Sequence, residues 1–470
     1  MEEEFDDFTE DQVKELVNRF ESAINNSTTP YFDVEEFEEI IDYYDLVQNN
    51  SKMEIAIKSA ANIHPYHIHF RIKEAQRMIS TKRYVQAIKL ISDLLEIEPN
   101  NFLIRQTLAY SYSRMGKHQK AIDTYLETIK LGADPKEIWI NIAYEYESLN
   151  RYNKAVDYLK KVLDKDPEDE GALYEILFCF EIDNRKEESI EFFKEFVDEH
   201  PYSHIAWFNL GISYSNLELY EKALEAYDFT LVIDETYSSA YFNKANALIN
   251  LKDYKGAIEN FKETFKYEPE DGITHLYIGQ CYENLGDHDL AVKNYFKAIE
   301  INDKIADAYV NIALNYFNLE NYNKALPFIL EALQLEAENT EYQYILGDIY
   351  AEMERFDEAI MVYQDILKVK PDNEEIYFDL AGILWNTNKK DSAFEILDLG
   401  LKQEKTNFRN FIRYGEFHYE LGNKEMAINY LSIAYNLNPS ESLLLIKNMT
   451  NLMEDPDINE FLNEKPKSNN

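Results

Sequence analysis

The chain is poor in the residues that staple, break or decorate a fold. Two cysteines among 470 residues cannot frame a disulfide scaffold. Glycine (13) and proline (12) are too scarce for collagen-like, linker-rich or turn-rich architectures, and this composition suits long helices. Basic residues are few: 47 Lys and Arg stand against 88 Asp and Glu, a formal net charge of −41. A nucleic-acid binder needs clustered cations to displace phosphate counterions, so this balance excludes that class, and it disfavours anionic membrane surfaces as well. No apolar run approaches the length that spans a bilayer. The opening MEEEFDDFTEDQ carries neither a basic nor an apolar signal region. The expected location is therefore the cytoplasm, without membrane insertion.

Catalytic and metal signatures are also missing. The sequence holds no G-x-G-x-x-G, G-x4-G-K-[ST], H-E-x-x-H, C-x-x-C or G-x-S-x-G. His64, His67 and His69 lack the i, i+4 spacing of helical metal ligands. The acidic loop DPEDEG at Asp166 would need Glu where Leu177 stands to close a calcium loop. With 88 carboxylates, chance pairs are numerous and none is evidence of acid–base chemistry. The expectation is no enzyme, no cofactor and no metal.

What the chain does have is a repeat. The segments WFNLGISYSNLELYEKALEAY, HLYIGQCYENLGDHDLAVKNY and YILGDIYAEMERFDEAIMVY align at a period of 34 residues. A small residue recurs at that step at Ala87, Ala121, Ala155, Ser189, Ala223, Ala257, Ala291, Ala325, Ala359, Ala393 and Ala427. Twelve positions earlier runs a second series: Ala75, Ala109, Ala143, Leu177, Gly211, Ala245, Gly279, Ala313, Gly347, Ala381 and Gly415. Prolines such as Pro65, Pro99, Pro167, Pro201, Pro269, Pro371 and Pro439 close units in the same register. Each unit holds two amphipathic stretches around a short polar break. Small residues let two helices approach, and one hairpin cannot bury its apolar stripe without a stacked neighbour. Cys179 and Cys281 lie three units apart at one register position, which predicts free thiols too distant to pair.

Trp207, Leu210, Gly211, Tyr214, Ala223 and Tyr227 fit the pattern W-x2-L-G-x2-Y…A-x3-F. So do Trp139, Ile142, Ala143, Tyr146, Ala155, Leu159 and Pro167. The chain thus resembles the tetratricopeptide-repeat family. The resemblance implies an all-α, right-handed superhelical solenoid of about twelve stacked antiparallel hairpins, longer than one superhelical turn. The expected organisation is an acidic N-terminal capping helix in 1–33, a degenerate repeat in 34–67, eleven repeats in 68–441, a C-terminal capping helix in 442–463 and a disordered tail in 464–470. Leu177 and Ser189 break both small-residue series, so the hairpin at 170–203 should be locally irregular.

The resemblance also implies that the first helix of each unit lines a concave channel. Counting unit positions from residue 68, a helical wheel puts positions 2, 5, 6, 9, 12 and 13 opposite the core stripe. Asn141, Asn209, Asn243, Asn246, Asn250 and Asn311 fall there, with Tyr110, Tyr144, Phe178, Phe208 and Phe242. Asn can donate to and accept from an extended main chain, and aromatic rings add contact area. The same amides could instead bond neighbouring helices. The few basic channel residues, Lys73, Arg114, Arg409 and Arg413, do not form a clamp for a terminal carboxylate. The acidic ends, with Glu35, Glu38 and Asp42 early and Glu341, Asp348, Glu352, Glu375 and Asp379 late, suit a partner with basic flanks. The expected function is a protein-binding adaptor or scaffold holding an extended segment of an unidentified protein, centred on about residues 136 to 318. The alternative is a structural assembly subunit acting through its convex face or ends. Nothing in the sequence sets the oligomeric state.

Overall fold

The computed structural model describes residues 9–26, 31–453 and 455–463. The tail expected at 464–470, the first eight residues and the segment 27–30 lie outside the described residues. Those described are helical throughout, with no strand among them.

The 34-residue period becomes a rhythm of helix starts. First helices run Ile68–Ser80, Phe102–Arg114, Pro135–Ser148, Glu170–Ile182, His204–Asn216, Ser238–Asn250, Gly272–Asn284, Ala306–Asn318, Thr340–Glu352, Glu374–Asn386 and Phe408–Glu420. Their partners run Tyr84–Ile97, His118–Lys130, Tyr152–Lys165, Lys186–Glu199, Tyr220–Ile233, Tyr254–Thr264, His288–Ile301, Tyr322–Leu335, Phe356–Val369, Lys390–Gln403 and Lys424–Leu437. A further hairpin, Val34–Leu46 with Asn50–Ile63, precedes them.

Local chemistry fixes the boundaries. Side chains of Asn101, Asp169, Ser203, Asn339, Asn373 and Asn407 cap first helices by accepting from free backbone amides. Each hairpin turns through one left-handed residue, and these too recur at the period: Gln48, Lys82, Gly116, Asn150, Asn184, Glu218, Lys252, Gly286, Glu320, Glu354, Asn388 and Gly422. Only three are glycine, so nine turns hold a side chain where it is sterically costly.

The small residues act as the spacing requires. The alanines of the second-helix series are fully buried, and Ser189 nearly so. In the first-helix series, a Cβ on Gly211, Gly279 or Gly347 would lie 2.4 Å from the ring of Tyr227, Tyr295 or Tyr363. These rings lie against bare helix backbone. At the same spacing Ala143, Ala313 and Ala381 stand with the smaller Leu159, Ile329 and Leu397, whereas Ala109 stands with Tyr125 and Ala245 with Phe261, all of them buried.

By compactness the chain divides into two units, Met1–Ala240 and Tyr241–Asn470. In the first, helix Glu10–Asn25 lays Leu16, Val17 and Phe20 against Phe37, Ile40 and Tyr44. Helices Glu170–Ile182 and Lys186–Glu199 approach each other far less closely than the pairs on either side. Leu177 occupies the crossing, and Ser189 bonds Ser213 Oγ of the next repeat at 2.7 Å. In the second unit, Ile446, Leu452 and Ile458 of the last short helices are buried with Ile412 and Leu431. Cys179 and Cys281 are buried free thiols.

Candidate functional site

Side chains at one register position of consecutive first helices form rows across a unit. At position 9 of the first unit, the three middle residues of the row are aromatic and open. Tyr110, Tyr144 and Phe178 are 44%, 43% and 44% exposed, high values for rings on three adjacent packed helices. The row spans helices Phe102–Arg114, Pro135–Ser148 and Glu170–Ile182.

Carboxylates flank it. Burial first, then repulsion from Glu175, pushes the Glu147 carboxyl up to about 7, while the Cys179 thiol, 3.5 Å from its Oε1, opposes the rise. Glu175 is raised chiefly by burial, and burial followed by the Glu175 charge raises the Tyr144 phenol. Glu145 is buried beside His118, whose Nδ1 lies 2.8 Å from Oε2. The row is thus an aromatic strip edged by acids with no adjacent Lys or Arg among the causes of their shifts.

The amides depart from the expected ladder. Asn209 is fully buried: its Nδ2 donates to Leu173 O of the preceding repeat at 3.0 Å, and its Oδ1 has no partner. It is a packing residue and cannot meet a ligand in the channel. Asn141 is half-buried and donates to Glu137 O of its own helix. Asn250 is exposed and donates likewise to Asn246 O. Asn243, Asn246 and Asn311 are half-buried in the second unit.

The aromatic residues at position 5 correct the wheel. Phe208 is buried between Tyr227 and Tyr237, with centroids at 5.9 and 5.0 Å. Phe242 packs on Phe261 and Tyr277 at 5.4 and 5.9 Å. Ile72, Leu276, Val310 and Ile412 at the same position are also buried. Phe208 is packed inside, and half-buried Phe242 bridges Phe261 of its own hairpin to Tyr277 of the next, while Tyr174 at the same position stays 37% exposed. The basic channel residues are largely engaged: Lys73 Nζ pairs with Asp42 at 2.9 Å, and Arg409 with Glu375 at 3.0 Å. The wheel did not single out Glu147 and Glu175 beside the aromatic row. Their signal was present as acids at positions 12 and 6 next to an aromatic at position 9.

Stacked hairpins with an open row on the first helices define a helical-repeat protein that can present an extended surface. Models of the tetratricopeptide repeat match residues 137–169, 204–228, 242–307, 306–339 and 350–411. These stretches of the chain are tetratricopeptide repeats. Among solved structures the chain is similar to YrrB, described as a TPR protein with an unusual peptide-binding site, at 21% identity and TM-score 0.34, over 42% of this chain and 97% of that one. It is also similar to a chain of the APC/C hetero-tetramer Cut9–Hcn1 at 11% identity and TM-score 0.40, over 96% and 93%. PilF of Pseudomonas aeruginosa gives 18% identity and TM-score 0.38, over 49% and 99%. No curated protein sequence matches the chain. No helix among the described residues is long and apolar enough to cross a membrane.

Proposed function

We propose that this protein is a non-enzymatic, cytoplasmic adaptor that holds an extended segment of another protein along its first helices, with the helices at its two ends serving as caps. One observation carries the reading: Tyr110, Tyr144 and Phe178 remain exposed at the same position of three successive first helices. A solitary exposed ring needs no explanation, whereas a regular row of three is surface held ready for contact. The row offers apolar area at register intervals, and Glu147 and Glu175 beside it favour a segment with basic residues.

The test is affinity capture from the native host followed by mass spectrometry, repeated with Tyr110→Ser/Tyr144→Ser/Phe178→Ser and with the outer-face control Val85→Ser/Val232→Ser. Val85 and Val232 are 78% and 83% exposed on second helices. The expected partner is lost from the first variant, kept by the second, and bound directly when purified. Loss from the outer-face variant alone would favour the structural-assembly alternative.

A further inference from the structure

Rings on the first helices of the first unit fall into two rows, and the chain covers only one of them. At position 11 stand Tyr112, Tyr146, Phe180 and Tyr214. Each has a cation of the chain itself over its face. Lys120 lies 5.9 Å from the Tyr112 centroid, Lys154 5.4 Å from Tyr146, Arg185 5.0 Å from Phe180 and Lys222 5.7 Å from Tyr214. The second row is Tyr110, Tyr144 and Phe178 at position 9, each more than two-fifths exposed. Among the described residues no cation and no other ring stacks on these three. The bare row is bounded by Gln76 before it and by half-buried Ile212 after it.

Spacing selects the conformation of what lies on this row. Packed helices stand about 8–10 Å apart, so three rings in register mark two such steps. A β-strand presents one face at every second residue, at about 6.7 Å and then about 13 Å, and misses that step. Polyproline II turns once in three residues and advances about 9.3 Å, so residues i, i+3 and i+6 meet three successive rings. Proline rings lie flat on aromatic faces, and proline holds this conformation before binding, so little entropy is lost on docking. Charge along the row is uneven. Glu147 follows Tyr144 by three residues, and Glu175 and Glu181 stand three residues to either side of Phe178. The Tyr110 end instead carries Arg114.

We propose that the row binds a proline-rich segment of a partner protein in the polyproline II conformation, with proline at every third residue over about seven residues and a basic residue at the Phe178 end; this rests on the reading above that the first helices hold an extended segment. The three rings take one proline each. The acids around Tyr144 and Phe178 take the basic residue, and Arg114 keeps it from the other end.

The experiment selects a random dodecapeptide phage library on the full-length wild-type protein, on Tyr110→Ser/Tyr144→Ser/Phe178→Ser and on Glu147→Gln/Glu175→Gln. Circular dichroism checks that each variant stays helical. Wild type should enrich prolines three residues apart with Lys or Arg at one end. The ring variant should lose the whole pattern; the acid variant should keep the prolines and lose the preference for a basic residue. The winning peptide should bind wild type about tenfold or more tightly than a copy with one alanine inserted after each proline, which keeps the prolines and destroys their period. Peptides that need the three rings but lack the three-residue period would overturn the proline proposal and leave the reading of the row standing. Apolar residues seven apart would be one such pattern, the mark of a bound α-helix. Peptides that bind the ring variant as well as wild type, or no enrichment on wild type over it, would overturn both.

Discussion

Replacing Asp348 with Asn should stabilise the protein, and by more at high pH. Burial pushes the Asp348 carboxyl from its ordinary 3.8 up to about 7, and Asp379, Glu352 and Glu375 add repulsion. The Tyr363 hydroxyl works against the rise. The folded state thus binds a proton that the unfolded state releases. Stability from this group is complete below pH 3.8, drains as pH rises, and is gone above about 7. Asparagine stays neutral throughout and its carbonyl can still accept the Tyr363 hydroxyl. At 1.36 kcal/mol for each pKa unit the ceiling is roughly 4 kcal/mol. Asp348 is partly exposed, so an effective dielectric near 20 brings the expected gain to about 1–2 kcal/mol at pH 8. For a cooperative block of about 150–250 residues that is roughly 2–8 °C in Tm. Thermal melts by circular dichroism at pH 5.5 and pH 8 check it. The Asn variant should melt higher at pH 8, with a gap roughly half as large at pH 5.5. A variant that melts lower at both values, or a gap that ignores pH, would refute the reasoning.

Four further outcomes follow from backbone and packing. Gly347→Ala should lower stability by about 1–3 kcal/mol despite the better helix propensity, because its Cβ meets the Tyr363 ring at 2.4 Å. Adding Tyr363→Leu, which reproduces the Ala381–Leu397 pair, should recover about 1 kcal/mol of the summed single losses in a double-mutant cycle by urea denaturation. Glu354→Gly, at φ 59°, should raise Tm, since it removes a left-handed side chain and an acid from a helix C-terminus, worth about 0.5–1 kcal/mol. Asn209→Ala should destabilise by about 1–3 kcal/mol, through loss of the buried bond to Leu173 O, as read by the same denaturation.

The repeat made the fold legible. Ala87 and its series, spaced without slip, placed both helices of every hairpin, and the break at Leu177 and Ser189 marked a hairpin that opens. The channel was less legible because a helical wheel describes one helix. It separates the face that meets the partner helix from its opposite, but the flanks are decided by the next repeat. Phe208 and Asn209 sit on such a flank and are buried by it, whereas Tyr144 and Phe178 sit clear of it. The left-handed turns were visible only at Gly116, Gly286 and Gly422; Glu218 and Glu354 take the same conformation because the hairpin geometry imposes it. Gly382 fits the sequence as an ordinary residue and gains meaning only in the structure, where the Arg413 guanidinium packs 3.0 Å from where its Cβ would stand.

The most direct measurement places a photo-crosslinking benzoylphenylalanine at Tyr144, and separately at Val232, in the protein expressed in its native host. Tyr144 lies in the open aromatic row, and Val232 is exposed on a second helix of the same unit. Irradiation should join Tyr144's position to a discrete partner protein through one short peptide identifiable by mass spectrometry, and should give no such product at Val232. A partner captured at Val232 with none at Tyr144 would contradict the claim that the first helices hold it.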